Sequence, residues 1–147
     1  MNSGDTNLLL YAMNRGCAEH AAAKAWLEAA LAKPREWIFS DQVLFRLYRL
    51  LRHPRVMTRA LPAQDALAQI AWFREETGFL HCGYEESRWA GVWQALAAQK
   101  ERSGLLVHDA VLAETLRARG VTRFYTRNVA DFSGFGFFEV VNPLALA

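Results

Sequence analysis

Apolar positions early in the chain recur with helical spacing. Ala23, Trp26, Leu27, Ala30 and Leu31 fall at i, i+3, i+4, i+7 and i+8, one face of a helix, and Lys33-Pro34 ends it. Trp37-Ile38-Phe39 is a short apolar run closed by Ser40-Asp41, the pattern of a buried strand followed by a helix N-cap. Leu44, Leu47, Tyr48 and Leu51 resume the helical period until His53-Pro54. Leu61-Pro62 opens another helix, with Leu67, Ile70, Ala71 and the stem of Arg74 as its apolar face. Gly78-Phe79-Leu80-His81 reads as a strand. Trp89, Val92, Trp93, Leu96 and Ala97 read as a helical face that places its tryptophans, like Trp26, in the core. After Gly104, Leu105-Leu106-Val107 leads into a helix from Asp109 to Arg119, with Gly120 at its C′ position. Arg123-Phe124-Tyr125-Thr126 and Phe137-Phe138-Glu139-Val140-Val141 supply the last two strands.

Strands alternating with helices of this length specify an α/β fold with a mostly parallel sheet. In such sheets ligands bind outside the carboxyl ends of the strands, so the residues just after each strand are the place to look for chemistry. Asp5-Thr6-Asn7, Ser40-Asp41, His108-Asp109, and Thr126-Arg127-Asn128 with Asp131 all occupy such positions. Carboxylates, hydroxyls and amides are hard oxygen ligands, suited to Mg²⁺ or Mn²⁺ rather than Zn²⁺. Clustered acids raise one another's pKa unless a cation joins them. The chemistry this suggests is metal-assisted hydrolysis of a phosphodiester. The plainer reading is helix capping, since Asp5, Asp41 and Asp109 each precede a helical run.

Composition narrows the field. The 147 residues are 52% hydrophobic, enough for one core and a single domain over 1–147. No apolar run reaches the length of a membrane helix, and no signal peptide is visible. Cys17 and Cys82 form no CxxC, so a reducing, cytoplasmic setting is expected. A net charge of +2 excludes a purely electrostatic nucleic-acid binder but allows a local basic rim. Phosphate-binding loops, nucleophile elbows and zinc-binding histidine pairs are absent from the sequence. Trp72, beside its helix's apolar stripe, is a candidate interface anchor, and the glycine-broken stretch from Phe132 to Phe138 a candidate partner surface.

Asp5-Thr6-Asn7-Leu8-Leu9-Leu10-Tyr11-Ala12 resembles the opening motif of PIN domains, specifically the VapC-type toxins of VapBC toxin–antitoxin modules. The resemblance continues through Val43-Leu44, Arg49-Leu50-Leu51 and His53-Pro54-Arg55-Val56. It returns at Leu106-Val107-His108-Asp109-Ala110, at Thr126-Arg127-Asn128-Val129-Ala130-Asp131-Phe132, and at Val140-Val141-Asn142-Pro143. It implies a PIN-like three-layer fold, a mostly parallel sheet of about five strands flanked by helices, of the doubly wound type. It also implies a homodimer, a pocket for Mg²⁺ or Mn²⁺, endoribonuclease activity on RNA, and a cognate antitoxin whose tail fills the pocket. Carried over position by position, Asp5, Asp109 and Asp131 are the metal-binding acids and Asn128 joins them as a catalytic residue. Thr6, Asn7 and Thr126 support them. In an active enzyme, Arg46, Arg49 and Arg127 would form a basic rim that positions RNA phosphate.

Two positions depart from the family. Relatives carry a Glu three residues before Arg49, where this chain has Arg46. A guanidinium there either neutralises Asp5 or Asp109, giving a degenerate domain that binds RNA or antitoxin without cutting, or contacts substrate phosphate in a working nuclease. Asp41, five residues earlier, would not face the same way on a helix. Relatives also begin with an apolar strand. Asn2-Ser3-Gly4 here implies a short, poorly packed central strand, or a start further upstream.

Overall fold

A computed structural model describes residues 1–99, 104 and 106–144. Among them, five three-residue strands form: β1 (Asn2–Gly4), β2 (Ile38–Ser40), β3 (Leu80–Cys82), β4 (Arg123–Tyr125) and β5 (Glu139–Val141). All of their pairings are parallel: β1 with β4, β4 with β5, and β2 with β3. One parallel bridge, Asn2 to Trp37, joins the two groups, giving the spatial order β3-β2-β1-β4-β5. The order reverses beside β1, which makes the carboxyl end of β1 and β4 the switch point where such sheets hold ligands.

The helices are α1 (Thr6–Met13), α2 (His20–Leu31), α3 (Asp41–Leu51), α4 (Ala63–Ala71), α5 (Trp89–Ala97), α6 (Val107–Arg117) and α7 (Val129–Ser133). A π turn, Trp72–Glu76, continues α4. Helix α1 packs on α2 and α3, and α5 packs on α6. Leu8, Leu9, Ile38, Phe39, Leu47 and Phe124 are wholly buried around the sheet. The Phe124 ring lies 4.6 Å from that of Phe132 and stacks at 5.3 Å on Phe138.

The polar first strand is short, as its sequence implies, yet it is well packed. Ser3 and Gly4 are buried. A Cβ on Gly4 would lie 2.8 Å from the Trp26 indole, so the missing side chain is what lets that ring lie against the strand. Size on α2 substitutes for size on β1.

Other expectations need correction. Leu106 is the N-cap of α6 and Val107 its first residue, so Leu106-Val107 is no strand, and Leu105 lies outside the described residues. Leu106 is buried against Val92, Leu96 and Ala110, so it serves helix–helix packing. Trp89 and Trp93 are not core: they are 60% and 46% exposed, and the buried seam of α5 is Val92 and Leu96. Leu67 faces solvent, and α4 turns Ala66 inward with the following Phe73. Phe132 and Phe138 belong to the core instead of a partner surface. Trp72 is partly exposed and stands edge-on to Phe73.

Candidate active site

Asp5 follows β1 with an extended backbone and caps α1, its Oδ1 accepting the Thr6 N–H at 2.7 Å. Its other oxygen accepts from the Thr126 hydroxyl at 2.8 Å, and the Asn7 amide lies 3.4 Å away. Asn7 also accepts the Arg127 N–H at 3.4 Å, and Thr126 accepts the Asn128 N–H at 3.0 Å. Parallel pairing of β1 with β4 brings residues 5 and 126 together, and both are buried. Thr6 reaches the other way, donating to the Val43 carbonyl at 3.2 Å and fixing α1 against α3.

Asp109 sits in the first turn of α6, and Asp131 in the first turn of α7. A cavity of about 210 Å³ joins them to Asp5, with Thr6, Asn7, Arg46, Leu50, Asn128 and Phe132 completing its wall. Asn128 holds the N-cap position of α7 but its side chain makes no cap bond. The Arg46 guanidinium lies 3.7 Å from the Asp109 carboxylate, an ion pair longer than a charge-assisted hydrogen bond.

Other residues singled out in the sequence lie elsewhere. Arg127 turns away from the cavity, bonding the Tyr11 hydroxyl at 2.7 Å, pairing with Glu19 at 3.1 Å and stacking over the Tyr11 ring. Arg49 is exposed in the last turn of α3 and does not line the cavity. Asp41 pairs with Arg74 at 3.1 Å, and Ser40, not Asp41, caps α3. Cys82 is buried, its thiol pushed up to about 11 by burial. Leu50 and Phe132 were missed as cavity residues. The signal for Leu50 was helical spacing, one turn beyond Arg46.

The electrostatics are those of crowded acids. Burial raises the Asp5 pKa, and Asp131 adds to this, while the Thr126 and Thr6 hydrogen bonds and Arg46 oppose it. Asp109 is pushed up to about 6, first by burial and then by the Asp5 charge, with Arg46 pulling back. The hard oxygens and mutually raised acids suit a divalent cation. Among the described residues, however, no three His, Cys, Asp or Glu side chains close into a metal-holding group. The acids share a cavity without being drawn to one point.

A pH dependence of stability follows. The folded chain holds the Asp109 proton more tightly than the unfolded chain, whose ordinary value is 3.8. This contribution is fully present below pH 3.8 and is lost as pH rises through about 6, a penalty of about 2–3 kcal/mol at neutral pH. Asp109→Asn therefore melts higher than wild type at pH 7.5, and the difference vanishes below pH 4. Thermal unfolding from pH 3.5 to 8 measures it, and equal melting temperatures at pH 7.5 would contradict the strained carboxylate.

A parallel sheet of this order, with acids gathered at its switch point, defines a PIN-type α/β domain. No family model matches the chain. Ribonuclease VapC24 of Mycobacterium tuberculosis is 39% identical over 153 residues, covering 98% of this chain and 97% of the relative. The chain thus belongs to the VapC family. The crystal structure of Mycobacterium tuberculosis VapC20, described as a sarcin–ricin loop cleaving toxin, superposes with a TM-score of 0.70 at 25% identity, covering 95% of this chain and 98% of that one. A toxin–antitoxin complex from Klebsiella pneumoniae shares the fold, with a TM-score of 0.58 at 20% identity over 97% of this chain and 98% of that one.

Proposed function

We propose that this protein is a divalent-metal-dependent endoribonuclease, the toxin of a cytoplasmic toxin–antitoxin module. The cavity carries the reading: Asp5, Asp109 and Asp131 meet there, from three separate elements, with Asn128 among them. Membership of the VapC family supports the ribonuclease activity and the antitoxin partner. Asp5, Asp109 and Asp131 are the residues that would hold Mg²⁺ or Mn²⁺. When bound, such a cation polarises a phosphate oxygen and acidifies a water. Asn7 and Thr126 fix the Asp5 carboxylate so that it need not reorganise as charge develops. Leu50 and Phe132 give the cavity an apolar wall that limits water. The Asn128 amide and Arg46 face the space a phosphodiester would fill, and Arg49 offers charge further out. Such contacts position RNA without reading its sequence.

A homodimer forms part of this reading. Trp89 and Trp93 stand beside Val92, Val107 and Val111 around an apolar groove of about 300 Å³. Exposed aromatics around such a groove are the composition of a protein interface.

The Arg46–Asp109 pair favours a second reading, a domain that binds RNA or antitoxin but does not cut. Incubation of a mixed RNA pool with Mn²⁺ separates the two. Cleavage by wild type that disappears in Asp109→Asn supports the nuclease. A folded but inert wild type, with activity gained in Arg46→Glu, means a pocket neutralised by its own arginine.

A further inference from the structure

Among the described residues, Arg46 is the cation that lines the cavity, and it is loosely held. Its side chain is 45% exposed, it lines the cavity, and at 3.7 Å its contact with Asp109 is a charge attraction without a directed hydrogen bond. Arg127 is instead held by the Tyr11 hydroxyl at 2.7 Å and by Glu19 at 3.1 Å. Asp109, by contrast, is 16% exposed and surrounded by the like charges of Asp5 and Asp131. Among the described residues, one long and half-exposed positive charge therefore lies against Asp109, in a cavity that Asp5 and Asp131 also line. A divalent cation entering the cluster meets that charge at short range, and the two compete for the same carboxylate. A phosphodiester at the cavity mouth changes the balance, because a guanidinium pairs with phosphate in a bidentate geometry that its present contact with Asp109 lacks.

We propose that Arg46 is a resident counter-ion that couples metal to substrate: it sits on Asp109 in the free protein and moves to the phosphate of bound RNA, so that cation and RNA enter the pocket together. The inference rests on the metal-nuclease reading and assigns Arg46 a positioning role within it. Because such coupling is reciprocal, each ligand raises affinity for the other by the same factor.

Mn²⁺ binding, followed by electron paramagnetic resonance, tests it without reference to cleavage. Wild type, Arg46→Gln and Arg46→Lys are titrated with and without a 2′-O-methyl RNA tetranucleotide, with circular dichroism as the check on folding. Arg46 is exposed, so both variants are expected to fold. Without oligonucleotide, Arg46→Gln binds Mn²⁺ on the order of tenfold more tightly than wild type, and Arg46→Lys resembles wild type. With oligonucleotide, wild-type affinity for Mn²⁺ rises on the order of tenfold, while Arg46→Gln gains less than about twofold. Equal Mn²⁺ affinity in wild type and Arg46→Gln, or equal gains with oligonucleotide, overturns the coupling and leaves the metal site standing. No Mn²⁺ binding by any variant overturns the coupling and the metal-nuclease reading together.

Discussion

Asp5→Asn leaves the protein folded and lowers Mn²⁺-dependent RNA cleavage on the order of a thousandfold, about 4 kcal/mol of transition-state stabilisation. The two jobs of Asp5 make the substitution informative. As an N-cap it accepts the Thr6 N–H, which an Asn carbonyl oxygen does equally well. As a cavity acid it contributes a charge that Asn lacks. Burial raises the Asp5 pKa, so removing the charge relieves desolvation, but the Asn NH₂ cannot accept from Thr126 or Asn7, and the two effects leave Asp5→Asn within about 1–2 kcal/mol of wild type at neutral pH. Asp5→Ala removes the cap as well and costs about 1 kcal/mol more in stability. Cleavage rates and melting temperatures of both variants separate cap from charge. A cleaving Asp5→Asn would move the chemistry out of this cavity.

Phe124→Ala is the most damaging single truncation expected, at about 3–5 kcal/mol. Phe124 is the middle residue of β4, wholly buried, with the rings of Phe132 and Phe138 against it. Phe132 is on α7, the helix that carries Asp131 into the cavity. The cavity left by the truncation therefore loosens both the sheet and one wall of the site. Urea unfolding gives the loss of stability directly. A change below 1 kcal/mol would mean that the aromatic stack is not what holds α7 in place.

Much of the site was legible in the sequence because it follows from chain direction. A parallel sheet sends every strand's carboxyl end to one edge, so the residue after β1 and the residue after β4 had to meet. Asp5 and Thr126 do so at 2.8 Å. Arg46 was also legible: helical spacing and the resemblance marked it as the odd residue, and it pairs with one of the acids named for it. Arg127 was not, because its partners, Tyr11 and Glu19, lie on an edge that local pattern does not reveal. The α5 tryptophans misled for a related reason. A helical apolar stripe specifies that a face is covered, not that the chain's own core covers it. The polar β1 misled because Gly4 is packed from outside, by Trp26.

The pairing of β1 with β4 has a consequence for how the protein is made. Asp5 is made well before Thr126 and Asp131, and the partners that fix its side chain are residues 6, 7 and 126. Until β4 and α7 exist, the first acid has no Thr126 and the cavity has no second half. A nascent chain carries scattered carboxylates and no pocket, and the long loop that closes it makes assembly a late event. The acids that share the cavity therefore come together only after α7 has been made.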